Sequence, residues 1–171
     1  MAHNVIIKRA VAGFNVDSYN RTVVADVAMD NGCVFTLSRE EANDLRWTPS
    51  IAAAASTTGL WMATSPEVMY VDKSAGLSVD PRDFTNKAGK SIDATLLVKG
   101  DIIEMTGEGI ADIATSDYLV ADAGVSFGLK ASGSAAEGFT LKKIGTSTLK
   151  IGDGAIAPQP VATYVYEVVN N

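Results

Sequence analysis

The chain of 171 residues holds one histidine, His3, and one cysteine, Cys33. Nucleophilic catalysis of the Ser-His-Asp or Cys-His kind needs an imidazole held beside the nucleophile. His3 stands near the N-terminal end, where chains fray, and no spacing brings it to Cys33 or to a particular serine. One histidine is too few for the usual histidine-rich zinc sites, and no spacing supports a mixed site of His3, Cys33 and two carboxylates. A lone cysteine forms no intrachain disulfide, so the chain does not require an oxidising compartment. The expected role of Cys33 is that of a buried structural thiol.

Six carboxylates fall within residues 101–122: Asp101, Glu104, Glu108, Asp112, Asp117 and Asp122. Paired carboxylates can hydrolyse glycosides, and alternating oxygen ligands can hold calcium. No twelve-residue calcium loop appears, and the reading adopted is a solvated loop face. Ala88-Gly89-Lys90-Ser91 imitates the end of a phosphate-binding loop. That motif needs a glycine where Phe84 stands, and a helix where the sequence reads as strand. Gly107-Glu108-Gly109 and Ser132-Gly133-Ser134 are turn signals. The motifs of a small trimeric dUTPase-like nucleotidase are absent. Tyr19, Trp47, Trp61, Tyr70 and Tyr118 could line a sugar-binding groove, but in a chain with 7% aromatics they are expected as core or interface anchors. The expectation is a protein without enzymatic activity, with no catalytic residue, cofactor or metal.

Charge narrows the partners. The net charge is −6, from 14 Lys+Arg against 20 Asp+Glu, and the densest basic cluster is Lys142-Lys143. Proteins that grip nucleic acid present a basic face, so direct nucleic-acid binding is not expected. The N-terminus carries no apolar run of signal-peptide type. The longest small-apolar run, Ile51 to Ala55, is far short of the roughly 20 residues of a membrane-spanning helix. A cytosolic origin and no membrane partner are expected.

The elements that must position these residues are short strands. Val5–Lys8, Thr22–Val27, Cys33–Leu37, Leu60–Ala63, Glu67–Val71, Ala94–Val98, Ile102–Thr106, Tyr118–Ala121, Ser126–Lys130, Phe139–Ile144, Thr148–Ile151 and Val161–Val169 are rich in β-formers and separated by Gly, Asn, Asp and Pro. Asp30-Asn31-Gly32 predicts a hairpin between the second and third of these runs, because Asn and Gly tolerate positive φ. Ser38 and Glu41 form a capping-box pattern that predicts a short helix from Arg39 to about Arg46. The last strand puts Tyr164, Tyr166 and Val168 on one face and Thr163, Val165, Glu167 and Val169 on the other. The fold class is therefore all-β, a short-stranded barrel or sandwich with one short helix near 39–46. The polar stretch 72–90 suggests an N-terminal β lobe over 1–80, with an arm and the helix, and a C-terminal glycine-rich barrel-like lobe over 91–171. A single domain is the alternative.

The segment Asn4-Val5-Ile6-Ile7-Lys8-Arg9-Ala10 through Gly13-Phe14-Asn15-Val16-Asp17-Ser18-Tyr19-Asn20-Arg21 resembles the start of small virion structural proteins of tailed bacteriophages. Lys99-Gly100-Asp101-Ile102-Ile103-Glu104-Met105 and the late glycine-rich strands resemble their β-barrel decoration modules. The resemblance is one of pattern over most of the chain and has no signature residues. The long helix of a major capsid protein is absent. The resemblance implies a head decoration, or cement, protein that binds the major capsid protein on the virion surface and braces the shell. It implies neighbouring copies as partners and a homotrimer as the assembly. The residues it offers as partner contacts are Val5, Ile7, Lys8, Arg9, Phe14, Tyr19, Arg21, Tyr164 and Tyr166. Another virion part, such as a head-fibre base or connector, and a carbohydrate-binding module are the alternatives.

Overall fold

A computed structural model describes residues 3–39, 47–50, 55, 57–67, 80–124, 128–151 and 158–171. These residues form eleven strands: β1 (Ile6–Ala10), β2 (Asn20–Val24), β3 (Val34–Arg39), β4 (Trp47–Ser50), β5 (Trp61–Ala63), β6 (Ser91–Leu96), β7 (Ile102–Met105), β8 (Tyr118–Ala121), β9 (Leu129–Ser132), β10 (Thr140–Ile151) and β11 (Gln159–Asn170). Three single 3₁₀ turns, Ala12–Phe14, Asp17–Tyr19 and Pro81–Asp83, are the only helical elements among the described residues. The strands build two antiparallel sheets. One has six strands in the order β1-β7-β11-β10-β8-β9, the other five in the order β2-β6-β5-β3-β4. Neither closes into a barrel, so the expected all-β class takes a sandwich-like form.

Two strands cross between the halves of the sequence. β1 pairs with β7 in the six-stranded sheet, while β6 lies between β2 and β5 in the other. A single apolar cluster joins Val23, Phe35, Met62 and Ile92 from one sheet to Ile103, Leu119, Leu141 and Tyr166 from the other. Each such side chain contributes about 1.5–3 kcal/mol by leaving water. The crossing from β6 to β7 uses the Lys99-Gly100-Asp101 turn, with Gly100 at φ +94°. Asp101 holds it: one carboxylate oxygen accepts from Val98 N at 2.9 Å and the other from Ala12 N at 2.9 Å.

The predicted hairpin does not form. The turn exists, with Gly32 at φ +88° and Cys33 N donating to Asp30 O at 3.3 Å. Yet β2 ends at Val24 and pairs with β6, and β3 pairs with β4 and β5. The turn's side chains are committed elsewhere. Buried Asn31 donates to Ser65 O and Glu67 Oε1, each at 2.7 Å, and accepts from Ser65 N and Asn86 Nδ2, each at 3.1 Å. A Cβ at position 32 would lie 2.5 Å from Asn4 Nδ2, so this glycine is also required by close approach.

Ser38 and Arg39, the expected start of the helix, are the last residues of β3, paired with Thr48 and Trp47. The rest of that helix, 40–46, lies outside the described residues, as do 68–71 of the strand expected over Glu67–Val71 and 126–127 of the one expected over Ser126–Lys130. No helix among the described residues is long and apolar enough to cross a membrane.

Candidate interaction surface

Each candidate for chemistry takes a structural place. Cys33 is buried, and burial pushes its thiol up to about 12. His3 pairs through Nδ1 with Asp30 Oδ1 at 2.8 Å. Gly89 occupies a turn, its N–H bonded to Ala25 O at 2.8 Å, and the strand β6 follows where a phosphate loop would start a helix. Among the described residues no three His, Cys, Asp or Glu side chains gather as a metal site.

The carboxylates divide in a way the sequence did not reveal. Asp101 and Glu104 are buried, which corrects the reading of all six as a solvated face. Glu104 lies on β7, between β1 and β11, and is held from both sides, by the Arg9 guanidinium of β1 and the Thr163 hydroxyl of β11. A buried carboxylate needs such partners. Asp112 and Asp117 stay exposed and Glu108 half-exposed. Asp122 meets Lys130 Nζ at 2.7 Å, and that hydrogen bond, with one from Gly124 N, holds its carboxyl below the usual range.

Two surface features remain. The first is a cleft of about 310 Å³ between β1 and the β2–β6 pair, with Lys8, Asn20, Arg21, Thr22, Asp93 and Thr95 among its walls. The guanidinium of Arg21 lies 5.7 Å from the Trp47 ring and 5.8 Å from the Trp61 ring, close enough for cation–π attraction. Strand β4 comes back against β2 to bring Trp47 there. Both indoles are half-buried against the core, so neither is an open sugar platform. Lys8 Nζ lies 5.8 Å from the Phe14 ring, which is 60% exposed.

The second feature is a ribbon. β10 and β11 pair along their whole lengths, from Thr140↔Asn170 to Ile151↔Gln159. β8 accompanies β10 only over Thr140–Lys142, and β7 accompanies β11 only over Tyr164–Glu167. Beyond those points the two strands run on as a pair. Their outer edges over 144–150 and 160–163 have no ladder partner among the described residues. The stretches 144–149 and 160–163 carry no charged side chain.

The partner residues expected from the sequence scatter accordingly. Val5 and Tyr166 lie inside the monomer. Ile7 and Tyr164 are half-buried, the latter packed on the core with Lys143 Nζ 5.8 Å from its ring. Arg9 is spent on Glu104. Only Lys8, Phe14 and Arg21 converge near one cleft, and Tyr19 sits half-buried just before β2. The ribbon's projecting part is not evident from the sequence, where Gly145-Thr146-Ser147 divides Phe139–Ile151 into two runs. In comparison with known proteins, no family model, no curated protein and no solved structure matches the chain.

Proposed function

We propose that this chain is a structural assembly protein that clamps a neighbouring chain by strand addition, and that its setting is the outer surface of a tailed-phage head, where it binds the major capsid protein as a decoration protein. The observation that carries the clamp is the β10–β11 ribbon. An open strand edge presents a row of backbone donors and acceptors, and a second chain satisfies them by adding a strand. The ribbon suits this better than the other terminal strand. β1 is also an edge, but it has five residues against twelve in each ribbon strand, and it carries two adjacent cations, which blunt an edge; register shifts occur in both, between Lys8 and Ala10 and between Lys143 and Gly145. The phage setting rests on the resemblance of the sequence pattern alone, as do virion location and the homotrimer.

The test is a shortened ribbon. Replacing residues 148–162 by Asn-Gly keeps the Ser147↔Thr163 pair and the Glu104 contact and closes the hairpin early. The variant is expected to fold with the parent's circular dichroism and to lose sedimentation with undecorated, expanded heads of its own phage. Undiminished binding by the folded variant overturns the clamp.

A further inference from the structure

We propose that the cleft between β1 and the β2–β6 pair binds a carboxylate-bearing sugar, with Arg21 as the residue that receives the carboxylate. In a chain of net charge −6, two cations, Lys8 and Arg21, line one cleft, and neither has a carboxylate within ion-pair distance among the described residues. Contrast Arg9, Arg82 and Lys130, each of which meets a carboxylate. Arg21 is half-buried and held by two indoles, so little rotamer freedom remains to be lost on binding. Among the described residues one of its five donors is used, Nη1 to Asn20 O at 3.0 Å. The free part of the fork matches a carboxylate in two-point geometry.

Other groups on the cleft specify a hydroxylated ligand rather than a bare anion. Asp93 is exposed there and accepts from hydroxyls, and the exposed Thr22 both donates and accepts. Lys8 supplies a second cation, and the exposed Phe14 ring beside it offers an apolar face to a sugar ring. The volume, about 310 Å³, stands at the small end of ligand sites, roughly 300–1,000 Å³. It suits one sugar ring, and an extended peptide would outrun it.

Trp47 and Trp61 are the only tryptophans, and both adjoin Arg21, so intrinsic fluorescence reports on this site alone. The full chain is titrated with glucuronate, glucose and acetate. Glucuronate is expected to change the emission saturably, with glucose and acetate at least about tenfold weaker. Arg21→Lys keeps the charge but loses the fork, and is expected to weaken glucuronate about tenfold with an unchanged melting curve. Lys8→Met, which leaves Arg21 and both indoles in place, is expected to weaken it severalfold. Equal binding of glucose shows that the carboxylate is not read, and equal binding of acetate shows that the sugar is not. Either result overturns the proposal, as does unchanged glucuronate affinity in both variants. These outcomes are independent of the ribbon.

Discussion

Substituting Arg9 by Met tests how the terminal strands are fastened. Glu104 sits in the middle of the β1-β7-β11 trio, opposite Ile7 on one side and Val165 on the other. Its side chain is 2% exposed. The Arg9 guanidinium and the Thr163 hydroxyl are its partners, one from each neighbouring strand. Removing one partner of a fully buried ion pair costs about 3–5 kcal/mol, because the other charge is stranded. Arg9 itself is 48% exposed, so water partly replaces it, and the expected loss falls to about 2–3 kcal/mol. Methionine keeps the apolar stem, which isolates the charge from packing. For a chain of this size that corresponds to a melting point lower by roughly 4–12 °C. Urea unfolding followed by circular dichroism measures it as a shift in midpoint at constant slope. The triple variant Arg9→Met, Glu104→Met, Thr163→Val removes the charge and the hydroxyl together and is expected to recover most of the loss. A single variant within about 0.5 kcal/mol of the parent, or a triple variant no better than the single, would refute the reasoning.

Three further outcomes follow from buried or paired groups. The Tyr166 hydroxyl is buried with no hydrogen-bond partner among the described residues, and burial raises its pKa; Tyr166→Phe removes an unsatisfied group and is expected to leave stability unchanged or raise it by up to about 1 kcal/mol in urea unfolding, whereas a loss beyond that would reveal a partner. Cys33, with its thiol raised to about 12 by burial, is expected to resist a thiol-exchange reagent in the native chain and to react stoichiometrically in denaturant, which a timed colorimetric assay distinguishes. Asp80 accepts from Arg82 N at 2.9 Å, and the Arg82 side chain holds its carboxyl below the ordinary 3.8. A lowered folded-state pKa contributes stability above that ordinary value and loses it as pH falls through the folded value. Asp80→Asn, which keeps the cap, is therefore expected to cost under about 1 kcal/mol at neutral pH and nothing in strong acid, as followed by thermal melts across pH.

Most of the strands are legible because their residues carry β patterning that needs no partner to be recognised; β4 (Trp47–Ser50), with Pro49 inside it, is not. On the β11 face of Tyr164, Tyr166 and Val168 the last two are buried and Tyr164 is half-buried, and Val23 and Ile92 meet inward on β2 and β6. Pairing was less legible. Asp30-Asn31-Gly32 reads as a hairpin turn by local chemistry, but Asn31 is worth more as the hub of a buried polar network whose members come from 34 and 55 residues away. Likewise the turn at Gly100 is visible in the sequence, while its crossing between sheets depends on Asp101 reaching back to Ala12. The burial of Glu104 was hidden for the same reason: Arg9 is 95 positions distant. For the cleft, Lys8, Phe14 and Arg21 are among the contacts expected from the sequence, and Trp47 and Trp61 among the aromatics expected as core or interface anchors. That they form one cluster depends on the return of β4 against β2, which no local pattern encodes.

The central proposal is that the chain is a stoichiometric part of a phage shell, clamped there by its ribbon. The most direct measurement is quantitative mass spectrometry of purified virions from the phage encoding it, made with parent and shortened-ribbon chains. The account predicts the parent chain at a fixed ratio to the major capsid protein, and the ribbon variant lost from particles despite normal expression and folding. Virions that lack the parent chain, or that retain the ribbon variant at the same ratio, would contradict it.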